Sequence, residues 1–144
     1  MALPKTNDVP VFETGNYFPA VPAEYLCEIS SCKVKKNRKG KENFVAELEV
    51  LESNCPDVPV GLTMSWLVAT DSDYAPRDLR GFALAALGFE KSDPNGAKAN
   101  TDDALGAAVG EDQLFSETKI RVMTKCHTTE QGGKFTRMNF GPAK

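Results

Sequence analysis

Ala23-Glu24-Tyr25-Leu26-Cys27-Glu28-Ile29-Ser30-Ser31-Cys32-Lys33-Val34-Lys35 is the stretch on which the fold turns. Tyr25, Cys27 and Ile29 share one parity and Glu28 and Ser30 the other, a period of two that belongs to a β-strand. After Ser30-Ser31 the apolar parity moves by one residue, to Cys32 and Val34. A one-residue phase shift is what a β-bulge produces. Such a bend lets the first strand of a small barrel serve both halves of a closed sheet.

Lys36-Asn37-Arg38-Lys39-Gly40-Lys41 follows, with Gly40 as the permissive turn residue. From Asn43 to Glu52 the alternation resumes: Phe44, Ala46, Leu48 and Val50 face one way, and Val45, Glu47, Glu49 and Leu51 the other. That pattern predicts a half-buried strand, hairpin-paired with the first. Residues 53–61 carry Pro56 and Pro59 and read as a loop. Leu62 to Ala69 is a third strand with Leu62, Met64, Trp66 and Val68 on one face, which makes Trp66 a core residue.

The period then changes. Leu79, Phe82, Ala83, Ala86 and Leu87 recur at helical spacing, with Pro76 in the first turn and Gly88 just past the end. Tyr74 reads as a structural residue at the start of this helix. Residues 91–100 read as a polar loop, and Thr101-Asp102-Asp103 as the cap and acidic first turn of a short helix ended by Gly110. Thr118 to Cys126 sets Ile120, Val122 and Thr124 against Lys119, Arg121, Met123 and Lys125. Glu130-Gln131-Gly132-Gly133 is a hairpin signal. Lys134 to Phe140 is the last strand, with Phe135, Arg137 and Asn139 on one face and Thr136, Met138 and Phe140 on the other. At the other end, residues 1–22 hold four prolines with little periodicity and read as an extended arm lying over the domain. The expected architecture is all-β with one main helix, an OB-like five-stranded barrel over residues 23–144 with the helix between strands three and four.

The net charge is −3, yet it is unevenly spread. Residues 33–41 carry +6, residues 118–144 carry +5, and residues 42–117 between them carry −11. A local basic footprint on an acidic body follows. No apolar run reaches the roughly 20 residues of a membrane helix, and Met1 to Pro10 has neither the basic start nor the apolar stretch of a signal peptide. Cytoplasmic residence is therefore expected, with Cys27, Cys32, Cys55 and Cys126 reduced and mostly buried. No cofactor or metal site is expected: Cys126-His127 is the nearest approach to a zinc motif and lacks the paired spacing. His127 is the only histidine, and no phosphate loop, dinucleotide fingerprint or nucleophile elbow occurs, so no enzyme is indicated. Asp71, Asp73 and Asp78 read as helix-capping acids.

Several short runs carry a family resemblance: Gly15-Asn16-Tyr17-Phe18-Pro19, Glu24 to Ile29, Lys39-Gly40-Lys41 with Phe44 through Leu51, Val60-Gly61 before the Trp66 strand, Arg77 to Phe82, and Gly133-Lys134-Phe135. Together they are similar to small bacteriophage proteins of an OB-like type, some of which are regarded as single-stranded DNA-binding proteins of replication or recombination. The resemblance implies phage origin, single-stranded DNA as ligand, replication or recombination proteins as partners, and a host-cytoplasmic setting. Homo-oligomerisation fits a domain that alone covers few nucleotides. Many single-strand-binding proteins have an acidic tail that recruits partners; Phe140-Gly141-Pro142-Ala143-Lys144 has no acid, so recruitment of that kind is not expected.

Single strands are held by a basic groove along the phosphates and by aromatics on which bases stack. The residues expected to do this are Lys33, Lys35, Lys36, Arg38, Lys39 and Lys41 at the first hairpin, and Lys119, Arg121, Lys125, Lys134, Phe135 and Arg137 at the last. Phe135 is the expected stacking residue. Tyr17 and Phe18 read equally as packing residues and as a groove edge. Glu47 and Glu49 on the outward face of strand two oppose phosphate, unless that strand lies at the groove's rim or the carboxylates pair across the sheet with Lys119 or Arg121. The alternative from another class is a non-enzymatic protein-interaction barrel, whose acidic middle segment meets a basic partner.

Overall fold

The computed structural model describes residues 17–36, 38–90, 93–128, 132 and 134–143. Strand β1 spans Ala23–Lys36, β2 Glu42–Ser53 and β3 Thr63–Ala69. Helices α1 (Ala75–Leu87), α2 (Pro94–Ala97) and α3 (Thr101–Val109) follow, then β4 (Lys119–Thr128) and β5 (Lys134–Pro142). All pairings between these strands are antiparallel, in the order β3-β2-β1-β4-β5.

The bend read from the first strand is present. Ile29 pairs with Leu48 and Ser31 with Glu47, leaving Ser30 as the extra residue. A second shift lies between Leu26 and Cys27, where β2 skips Leu51. Below the Ser30 bulge β1 also pairs with β4, from Ala23 to Glu28. Above it β4 has diverged, and the Gln113 side chain takes its place. Its Nε2 donates to Cys32 O at 2.9 Å, and its Oε1 accepts from Cys32 N at 2.8 Å. An amide can copy the backbone pairing of a neighbouring strand because it carries the same donor and acceptor.

Side chains of the two outer strands meet in the core. Trp66 on β3 and Phe140 on β5 have ring centroids 4.6 Å apart. Phe82 of α1 fills the space beside them, within 6.0 Å of Phe44, Trp66, Phe115 and Phe140. Trp66 is thus a core residue, 7% exposed. The segment before β1 runs across the same opening. Tyr17 bridges Ser65 in parallel, Phe18 O accepts from Thr136 Oγ1 at 2.8 Å, and Val21 O accepts from Thr124 Oγ1 at 2.9 Å. Phe18 is buried on Tyr25, with centroids 4.9 Å apart, while Tyr17 is exposed. Residues 1–16 of the expected arm lie outside the described residues, as do Asn37 of the first turn and residues 129–131 and 133 of the last.

Four expectations need correction. Strand β2 is not half-buried: Val45 is 0% exposed and Glu47 2%. Both Glu47 oxygens accept from Ser65 Oγ, at 2.8 and 3.0 Å. Alternation reports only which face is more apolar, and a carboxylate satisfied by a neighbouring hydroxyl can be buried all the same. The loop over residues 91–100 contains α2, capped by Asp93, whose side chain accepts from Asn95 N. A four-residue helix is too short to show a period. The cap of α3 is Asn100, which accepts from Asp103 N, and Thr101 is buried inside the first turn. Finally, no acid caps α1. Its N-cap is Tyr74, without a side-chain cap bond, and Asp71 pairs instead with Lys41 at 3.2 Å. The far end behaves as read, with Gly88 at φ 89 accepting the left-handed turn.

Of the cysteines, Cys27, Cys32 and Cys55 are buried and Cys126 is exposed. No helix among the described residues is long and apolar enough to cross a membrane.

Candidate nucleic-acid interface

Where β3 and β5 approach each other, the sheet leaves a cleft against the start of α1. It consists of two adjoining hollows of about 250 and 290 Å³ that share Arg77, Asp78, Arg137 and Met138. Trp66, Val68 and Met138 give the first hollow an apolar floor, and Tyr74, Arg77 and His127 stand around it. Thr136, Arg137, Met138 and Asn139 are all half-buried, so residues of both parities on β5 reach the cleft along the strand's edge.

One basic hairpin contributes to the wall of this cleft, and the other is tied beside it. The β1–β2 hairpin is tied to the end of β3: Glu42 O accepts from Thr70 N and Thr70 Oγ1, each at 3.0 Å. The Lys41–Asp71 ion pair adds a second tie, one residue from Ser72 in the cleft wall. Lys33, Lys36, Arg38, Lys39 and Lys41 are exposed on this hairpin, and Lys35 is half-buried. Gly40 makes the turn at φ 79. On the other side, β4 and β5 bring His127 and Arg137 into the wall. Lys125 lies directly opposite Arg137, in a row flanked by Met123–Asn139 and His127–Phe135. Two cations facing each other across a strand pair repel, a cost that an anion between them removes.

The structure divides the remaining expected cations. Lys119 pairs in register with Glu28, which pairs in turn with Glu49. Arg121 lies opposite Leu26 and shares a hollow with Glu24 and Glu52. These two basic side chains sit among four carboxylates, away from the cleft. Lys134 and Phe135 pair through their backbones with Thr128 and His127. The side chains of both, and with them the expected stacking role of Phe135, lie outside the described residues.

Two residues of the cleft were not singled out as binding residues in the sequence. Tyr74 is 61% exposed. The guanidinium carbon of Arg77 stands 5.6 Å from its ring centroid, and Arg77 Nε lies 3.6 Å from Asp78 Oδ1. The available signal was the Tyr-x-x-Arg spacing at a helix start, which places two side chains on one face. It has meaning only once the cleft beneath is known. Arg80, by contrast, is committed to the fold: it donates to Thr101 Oγ1, Gly96 O and Ala97 O, holding α2 and α3 against α1.

The fold and the cleft define a β-rich chain with a cation-bordered groove. No protein-family model matches the chain, and no curated protein does.

Proposed function

We propose that this chain is a sequence-tolerant single-stranded DNA-binding protein of phage-type DNA replication or recombination, built on an OB-like barrel. The element order, the bulged β1 shared between β2 and β4, and the helix between the third and fourth strands support the barrel. The observation that carries the binding reading is that one cleft has the last basic hairpin in its wall through Arg137, whose cross-strand partner is Lys125, and the first basic hairpin tied beside it through Lys41 and Asp71. Phosphates bound there release counterions, so affinity falls with salt, by a slope of about −0.7 per phosphate contacted on a single strand. Of the two carboxylates that oppose this reading, Glu47 is buried against Ser65 and withdrawn from the surface, while Glu49 is half-buried and pairs in register with Glu28, beside Lys119 and away from the cleft.

The test is fluorescence anisotropy of labelled oligo-dT and of a matched duplex over a salt series. Tight, salt-sensitive binding to oligo-dT with weak duplex binding is expected. Absence of oligo-dT binding at low salt, or binding indifferent to salt, overturns the proposal.

A further inference from the structure

The mouth of the cleft holds an aromatic ring that backbone electrostatics alone does not use. We propose that the cleft is a nucleobase site. Tyr74 carries one base of a bound single strand, the Trp66, Val68 and Met138 side chains form the apolar floor, and Arg77 and Arg137 hold the neighbouring phosphates. This rests on the single-strand reading above and adds to it a stacking residue and a pocket.

Tyr74 is 61% exposed although it occupies the N-cap of a 13-residue helix. A tyrosine supplies no ordinary capping bond there, and none is formed. Among the described residues its ring packs on none of the core aromatics, and the Arg77 guanidinium stands against it. A cation held over one face of a ring presents charge beside whatever stacks on the other. Tyr74 lines a hollow of about 250 Å³, and a second of about 290 Å³ shares Arg77 with it. Asp78 lines both hollows together with Arg77 and Arg137, so an acceptor for the amino or imino N–H of a base stands beside cations suited to phosphate. The cations that suit phosphate are Arg77, oriented by Asp78, and Arg137, opposite Lys125.

Trp66 is the only tryptophan and lies on the floor, so its fluorescence reports occupancy of the hollow. The experiment titrates the full chain with oligo-dT and with an abasic oligomer of the same length. Wild type is expected to bind oligo-dT with a change in Trp66 emission, and the abasic strand about tenfold more weakly. Tyr74→Ala is expected to lose about tenfold on oligo-dT and nothing on the abasic strand, while Tyr74→Phe keeps wild-type affinity for both. Arg77→Ala weakens both strands. Tyr74 is exposed, so both of its variants keep the wild-type melting temperature. Wild-type affinity of Tyr74→Ala for oligo-dT, or equal wild-type affinity for the two strands, overturns the base site and leaves single-strand binding standing. Failure of wild type to bind either strand removes both.

Discussion

Gln113 shows how far a single side chain can act in this fold. Its amide closes the Cys32 backbone N–H and C=O just where β4 leaves β1. A third bond, from Nε2 to Gly110 O at 3.0 Å, ties the same amide to the end of α3. Gln113 itself has φ 46, a conformation that asparagine tolerates well. Gln113→Asn therefore keeps the backbone acceptable while drawing the amide back by one methylene. It is expected to cost about 2 kcal/mol, from two partly buried backbone groups losing their partners. Urea unfolding measures it, and a midpoint equal to wild type would show that solvent serves Cys32 equally well. Nothing in the alternation pointed to Gln113, because its role depends on two segments 81 positions apart in the chain. Glu47 was hidden in the same way: period two places it on the outward face, and its bond with the hydroxyl of Ser65 depends on the register of the next strand.

At the scale of elements, β4 is the informative strand. Its cations alternate with Ile120, Val122 and Thr124 as read, and the sequence treats Lys119, Arg121 and Lys125 as one basic face. Pairing with β1 separates them, since Glu28 stands opposite Lys119 while Lys125 lies past the end of that pairing. Lys125→Glu is therefore expected to weaken oligo-dT binding by about tenfold at low salt and to flatten the salt dependence by about one phosphate's worth. Lys119→Glu, already among carboxylates, is expected to change affinity less than threefold. Equal losses in the two variants would show that the whole strand, and not the cleft end of it, meets the ligand. The main helix was legible from spacing and punctuation, Pro76 to Gly88, because a 13-residue amphipathic element shows its period. α2 was not, and neither was the exposure of Tyr74 at the start of α1.

At the scale of the whole molecule, one ring and three acids govern stability. Phe82 touches four aromatic rings drawn from β2, β3, β5 and the segment before β4. Phe82→Ala is expected to cost about 4 kcal/mol, through lost burial and an unfilled cavity, and to alter the emission of Trp66 at 5.1 Å. A loss below about 1 kcal/mol would mean that the sheet closes over the gap. Burial raises Cys27 and Cys32 from 9.0 to about 12. Burial, with the Cys55 thiol beside it, raises Tyr25 from 10.0 to about 12. The unfolded chain therefore releases these protons before the native one does. Their contribution is complete below pH 9 and is lost as pH rises from about 9 to about 12. Urea midpoints measured in reductant are expected to hold level from neutrality to about pH 8.5 and to fall steadily above it; a midpoint still level at pH 11 contradicts this. In the same protein a thiol reagent at neutral pH is expected to label Cys126 at once and the three buried cysteines only on denaturation.

The sequence by itself determined the local structure: five strands in order, a bulge at Ser30, a helix between the third and fourth strands, and basic residues gathered at two hairpins. Each is written in periods of two or 3.6, or in a glycine or proline, and each needs only neighbouring residues to be expressed. Tertiary structure alone decided which of those basic residues share a cleft, that Glu47 is buried, that Gln113 completes the first strand, and that Tyr74 stands exposed at a hollow that Trp66 also lines. These depend on the register between strands and on how far the sheet bends, quantities set by packing Phe82, Trp66 and Phe140 together. A residue's spacing in the chain carries no information about the partner that such packing brings to it.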